Sequence, residues 1–212
     1  MIDPEFPPEL DVAFWLNVDE TPTLEKLKGR VVVLVVFQTN CQSSLEHALP
    51  QARRLAEGFD PRQVFVLGLN AQFEHKDAQT RETLEKFVAE QGLVFPVALD
   101  RVTASSELTA TAAAYELKGT PSILIFDRQG RLRRAYQGEA TDIRLSAEIM
   151  GFVIEHQNAP RETSVAIERL MRAALVESGR DHHHHHHHGH GDAHHHHHAD
   201  GTCCNDPNCG QR

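Results

Sequence analysis

The first 200 residues of this chain hold one cysteine, Cys41, so no disulfide can close within them. The N-terminal stretch MIDPEFPPEL has neither the basic start nor the apolar core of a secretory leader. The longest uninterrupted apolar run, VVVLVVF, is seven residues, where a membrane span needs about 20. Positive charge is also scarce: residues 1–180 carry 26 acidic against 20 basic side chains, which gives no basic patch for nucleic acid. These absences predict an acidic protein of the reducing cytoplasm with neither membrane nor nucleic acid as partner, whose cysteines are reactive or metal-binding rather than structural.

Composition divides the chain. Residues 181–212 hold 13 of the 16 histidines and three of the four cysteines. A chain of 212 residues can build one domain with a substantial core plus an appendage. The expected organisation is a domain over residues 1–157, an amphipathic helix over 158–180 and a His/Cys-rich tail over 181–212.

Within the domain, the β-branched run Val31 to Phe37 reads as a strand buried on both faces. A helix follows over 44–58, with Leu45, Leu49, Ala52, Leu55 and Ala56 at helical spacing, Pro50 as an internal kink and Gly58 as a stop. The segment 63–70 is a second strand. The segment 80–92 is a second helix, opened by Thr80 in a capping box completed by a glutamate. FPVALD gives a short strand, and an alanine-rich helix ends near Tyr115. SILIF and RLRRAYQ, joined by DRQG, form a β-hairpin. Helices over about 142–156 and 162–176 close the order, the last amphipathic through Ile167, Leu170, Met171 and Ala174. Parallel βαβ units followed by an antiparallel hairpin imply an α/β fold with a mixed central sheet between helical layers.

Cys41 stands where the buried strand hands over to a helix, and three residues later comes Ser44. A thiolate at a helix start is stabilised by free backbone N–H groups and the helix dipole, which lower a cysteine pKa by about one unit or more from about 8.5. Ser44 is placed to add a hydrogen bond. Glu74 and His75, in the loop after the second strand, emerge at the same sheet edge as Cys41; a solvated loop histidine is the simpler reading of His75. His47 lies roughly 240° around the helix from Cys41 at 3.6 residues per turn, so it is expected to face elsewhere.

The order of strand, C-x-x-S at a helix start, proline six residues on, then G-T-P before a hairpin resembles the thioredoxin-like fold, most closely its TlpA-like and redoxin branch, related to AhpC/TSA proteins. The lead-in FWLNVDETPTLEKLKGRVVVLVVF is similar to that branch's opening, and the resemblance spans about residues 8–155. Some bacterial members carry C-x-x-C within a similar FQ..C..C...LPQA segment. Cys41 therefore matches the attacking cysteine, and Ser44 stands where the second would be. The resemblance further implies a cis bond before Pro121, which would set Pro121 across from Cys41 and offer the Thr120 backbone to a substrate strand. The implied site is Cys41, Ser44, Thr120 and Pro121, and the domain itself calls for no cofactor.

A lone thiolate attacks a disulfide or a peroxide, but release of a mixed disulfide needs a second thiolate. A small thiol such as glutathione, a client protein or a tail cysteine can supply it. Against a peroxidase, the pattern P-x-x-x-T/S-x-x-C fails, with Gln38 at its Thr/Ser position.

The tail offers His182, His183, His184, His185, His186, His187, His188, His190, His194, His195, His196, His197 and His198, with Cys203, Cys204 and Cys209. Beyond Ala193, Ala199 and the cysteines it has no apolar residues, too little to build a core. Imidazole and thiolate are ligands for Zn, Ni, Cu or Co, and the thiolates suit Cu(I) or Zn best. A purification tag is the plainer alternative, but histidine runs of seven and five broken by GHGDA and followed by clustered cysteines fit it poorly. A flexible tether from Asp181 to Cys204 reaches roughly 25–30 Å by the random-coil relation, enough to return a thiol to Cys41. The expected function is thiol redox chemistry at Cys41 with transition-metal binding at the tail; the competing class is a metal-binding or metallochaperone protein with a non-catalytic scaffold.

Overall fold

A computed structural model describes residues 2–73, 80–104 and 107–175, which lie within one compact unit, Met1–Ser178. The tail, together with Glu74 and His75, lies outside the described residues.

The organising element is β2 (Val31–Phe37), every residue of which is buried. Side chains alternate across a strand, so Val31, Val33, Val35 and Phe37 enter one hydrophobic cluster while Val32, Leu34 and Val36 enter another on the opposite face. β3 (Val64–Asn70) pairs with β2 in parallel from Val31↔Val64 to Phe37↔Asn70. On β2's other side runs β5 (Ser122–Phe126), antiparallel. β4 (Val97–Asp100) extends the sheet beyond β3, and β6 (Leu132–Gln137) extends it beyond β5. The sixth strand, β1 (Val12–Leu16), lies antiparallel on β4 and completes the order β1-β4-β3-β2-β5-β6. Sequence reading placed no strand there: β1 is a half-buried edge whose hydrogen-bonding partner lies more than 80 residues downstream, and its side chains do not alternate cleanly.

The first face of the sheet is covered by α1 (Leu49–Gly58), α2 (Arg81–Glu90) and α4 (Asp142–Ile154), which deliver Leu49, Leu55, Leu84, Ile149 and Phe152. The second is covered by the N-terminal segment through Leu24 and Leu27 and by α3 (Ala110–Ala114) with Tyr115 and Leu117. Buried Asp100, ending β4, accepts hydrogen bonds from the backbone N–H groups of Thr111 and Ala112, both at 2.9 Å. A carboxylate thereby satisfies the open N–H groups of α3. Thr80 caps α2 as expected, but the reciprocal partner is Thr83, which stands at the third helical position where a glutamate was expected.

The helix after Cys41 departs from a kinked α-helix. Gln42 and Ser43 open it, Ser44–Ala48 forms a π-helical turn, and α1 continues from Leu49. The N–H of Leu49 reaches back to the Ser44 carbonyl. Pro50 then falls in the first turn of the α-helical part, where its missing N–H costs little. The π turn takes up the disruption that a mid-helix proline would otherwise cause.

α5 (Arg161–Ala174) buries Ser164 and Met171, with Ile167 and Leu175 against the core, whereas Leu170 and Ala174 face outward. Its inward face is therefore partly ionic. Arg131, Arg133 and Arg134 of the hairpin meet Asp127, Glu148, Glu155 and Glu168. Glu155 accepts from Arg131 at 2.8 Å and from Arg133 at 2.9 Å, and also from the Ser164 hydroxyl. Burial pushes the Glu168 carboxyl up, but Arg134 and Arg133 outweigh it and hold that carboxyl below its usual range. The depressed folded value means that its contribution is present above the unfolded value near pH 4.3 and is lost as pH falls through the folded one. Breaking a buried pair leaves an uncompensated charge and costs about 3–5 kcal/mol. Glu155→Ala should lower the unfolding free energy by about that much in denaturant titration; a loss below about 1 kcal/mol would mean the network is hydrated.

Candidate active site

The C-terminal ends of β2 and β3 and the start of β5 converge at one edge of the sheet. β2 ends at Phe37, and a turn closed by the Cys41 N–H on the Gln38 carbonyl (3.2 Å) carries the chain into the helix. The Cys41 carbonyl accepts from the Leu45 N–H at 3.1 Å, the first backbone bond of that helix. Cys41 thus occupies the helix start, partly exposed and unpaired.

Across from it, the Thr120–Pro121 peptide bond is cis. The Cys41 thiol donates to the Thr120 carbonyl at 3.4 Å. All four residues expected from the sequence (Cys41, Ser44, Thr120 and Pro121) therefore meet at this edge.

Burial pushes the Cys41 thiol up, but hydrogen bonds outweigh it: the Ser44 and Thr120 side chains and the backbone N–H groups of Ser44 and Ser43 together leave it below its ordinary value. Ser44 is wholly buried, and its hydroxyl has no hydrogen-bond partner among the described residues. Ionisation of Cys41 turns a weak sulfur acceptor into a strong one for this hydroxyl. Thr120 has a choice: its single hydroxyl proton donates to the Gln38 side-chain oxygen at 2.9 Å and must leave that acceptor to reach the thiolate.

Two contacts gave no sequence signal. The Gln38–Thr120 bond ties the two loops of the site together across 82 residues. The Ser43 hydroxyl donates to Glu139 at 2.6 Å, and His47 lies 3.8 Å from the same carboxylate. Glu139 follows β6 in a loop, and loop partners carry no periodicity. His47 is half exposed, as expected for a surface residue, and belongs to a cleft of about 460 Å³ lined also by Glu46, Gln51, Arg54 and Asp142. Asp142 is already engaged by Gln51 and Arg54.

No group of three or more His, Cys, Asp or Glu among the described residues is placed to hold a metal. Among them, no helix is long and apolar enough to cross a membrane.

The bond from Ser44 makes a direct prediction. Ser44→Ala should shift the pH midpoint of Cys41 alkylation upward and slow alkylation at neutral pH by up to about tenfold, the equivalent of one hydrogen bond to a charged group. An unchanged midpoint would show that the backbone N–H groups and Thr120 suffice.

With this geometry in place, the model of the family described as AhpC/TSA matches residues 8–135. A thioredoxin-like superfamily protein of known structure is 37% identical, over 72% of this chain and 97% of that one, with a TM-score of 0.68. A thiol-disulfide isomerase from Corynebacterium glutamicum is 38% identical, over 71% and 97%, also with a TM-score of 0.68. A putative thiol:disulfide interchange protein DsbE from Chlorobium tepidum shares the fold at 20% identity, over 70% and 99%, with a TM-score of 0.53. No curated protein matches the chain.

Proposed function

Because the chain belongs to the AhpC/TSA family, we propose that it is a thiol redox protein in which Cys41 acts as a single nucleophile in thiol-disulfide exchange. The observation that carries this reading is the Cys41 thiol at a helix start, held below its ordinary pKa and facing the carbonyl that precedes cis-Pro121. The Cys41 thiolate attacks one sulfur of a client disulfide. The S–S bond breaks, the other client sulfur leaves as a thiolate, and a mixed disulfide remains on Cys41. Its release needs a second thiolate. If the client's own freed or neighbouring thiolate attacks, the client disulfide is rearranged and Cys41 returns with no net electron transfer. If a small thiol attacks the Cys41 sulfur instead, the reduced client leaves as a thiol and the small thiol stays on Cys41 as a new mixed disulfide; a second small thiol then frees Cys41, and the two leave as one small-molecule disulfide.

Ser44 favours the first outcome. A cysteine at that position would displace the client by closing an intramolecular disulfide, whereas a hydroxyl leaves the mixed disulfide standing until a client thiolate arrives. The related Corynebacterium protein, named as an isomerase, is consistent with that direction. Peroxide reduction through a sulfenic acid is the lesser route, because Gln38 occupies the position where the peroxidase pattern has a hydroxyl. A reducing cytoplasm, with its small-thiol pool, would favour the second outcome, whereas rearrangement needs disulfide-bearing clients, which an oxidising compartment supplies.

Cys41→Ser should abolish turnover of a scrambled-disulfide protein, and Ser44→Cys should convert the enzyme to one that forms its own disulfide and reduces substrate without waiting for a client thiolate. If Cys41→Ser rearranged disulfides as fast as the parent, the reading would be wrong and a non-catalytic scaffold would take its place.

The tail adds transition-metal binding to the proposal, supported by the 13 histidines and three cysteines in residues 181–212. Ligation needs neutral imidazole and thiolate, so affinity should fall as pH drops through the histidine range near 6.5. Equilibrium dialysis of the full chain against Zn, Ni, Cu or Co should find several ions bound at pH 7.5 and few at pH 5. Equal occupancy at both values, or none at either, would remove the tail from the function. The same preparations test whether Cys203, Cys204 or Cys209 resolves Cys41: with metal removed, mass mapping after mild oxidation should then find a Cys41-to-tail disulfide.

A further inference from the structure

The chain is acidic overall, with a formal charge of -9, yet one concavity is lined mainly by arginine. It holds about 350 Å³ between the hairpin and α5. Arg131 and Arg133 line it from β6 and the turn before it, and Arg161, Arg169 and Arg172 line it from α5. Only two carboxylates, Glu5 and Glu168, share the lining.

The ionic pairing of this region explains why the excess is real. Arg131 and Arg133 are matched from behind by Asp127 and Glu155, while Glu168 is shared by Arg133 and Arg134. Those buried arginines are fixed by their partners but still present guanidinium surface to the cavity. Arg161, Arg169 and Arg172 have no carboxylate partner among the described residues and reach into the same space from an exposed helix face. The eight-residue step from Arg161 to Arg169 is a little over two helical turns, which keeps both on one side of α5. A second hollow of about 410 Å³ shares Arg161, Val165 and Arg169 and adds one carboxylate, Glu162.

We propose that this cavity binds a small ligand carrying two or more phosphate groups. Guanidinium offers paired N–H donors in a planar fork that matches phosphate oxygens, and three unpaired guanidinium groups around one hollow call for more than a single negative charge. The volume suits a small ligand rather than a duplex or a folded partner. Preorganisation favours the site, since Arg131 and Arg133 are already held. Such a ligand would bridge β6 and α5, tying the last described helix more firmly to the sheet. The site is independent of Cys41 and of the redox reading.

Calorimetric titration of the full chain tests it. At pH 8 with a chelator present, the tail histidines are neutral and metal-free and do not compete. Inorganic pyrophosphate and, separately, ADP serve as probes. One saturable pyrophosphate site is expected, weakened about tenfold or more in the Arg169→Gln/Arg172→Gln double variant and unchanged in Arg62→Gln, which removes an exposed arginine already paired with Asp60. ADP binding of similar strength identifies a nucleotide as the source of the phosphates, and pyrophosphate binding without ADP binding identifies an inorganic polyphosphate. An unshifted Cys41 alkylation midpoint in the double variant checks that the fold is intact. Absence of saturable pyrophosphate binding, equal binding by the double variant, or binding of a polyglutamate peptide in place of both phosphates overturns the proposal.

Discussion

The burial of β2 on both faces is the constraint from which the rest of the structure follows. Seven consecutive apolar residues leave no side of the strand for water, so helices or covering segments must pack on each face, and a neighbour must pair on each edge to satisfy its backbone N–H and C=O groups. β3 and β5 supply that pairing, one parallel and one antiparallel. Parallel pairing requires a crossover, which is the helix that begins just after Cys41. Antiparallel pairing brings the start of β5 beside the end of β2, which sets Thr120 against the thiol. Cys41 therefore has its position decided by a strand that is itself wholly buried.

What was legible in the sequence followed from periodicity and from residues with special backbone chemistry. The seven-residue β-branched run located β2, and Thr120-Pro121 marked the start of the next apolar strand; that this loop faces Cys41 came from the family resemblance. β1 was not legible, because an edge strand needs only one apolar face and its partner is remote in sequence. Leu170 was taken as inward and is exposed, because helical spacing defines a stripe without saying which of two neighbouring stripes faces the core. The arginines of the hairpin gave no signal at all. Arg131, Arg133 and Arg134 sink beneath α5 in the fold because Glu155 and Glu168 arrive to neutralise them. Complementary charge held by a separate helix leaves no local pattern.

That ionic seam also fastens the last described helix. Helix α5 contributes few apolar contacts and is held by Glu168 and Ser164 at least as much as by Met171. Attachment of this kind depends on pH and salt in a way that a hydrophobic seam does not. It also concentrates arginine at one end of an acidic chain, so the feature that fastens α5 is the same one that creates a cationic hollow beside it.

Ser44 shows how the site's stability and its reactivity are linked. A buried hydroxyl without a partner costs roughly 1–3 kcal/mol, and in the thiol form Ser44 is in that condition. The cost falls when Cys41 ionises, because a thiolate is a stronger acceptor than a thiol. The unpaired hydroxyl therefore raises the energy of the resting thiol relative to the thiolate, which has the same effect on acidity as stabilising the anion. Cysteine at that position would give a weaker donor and a resolving thiol together. Serine separates the two: its hydroxyl is a stronger donor to a thiolate than a thiol would be, and it places no second sulfur three residues from Cys41.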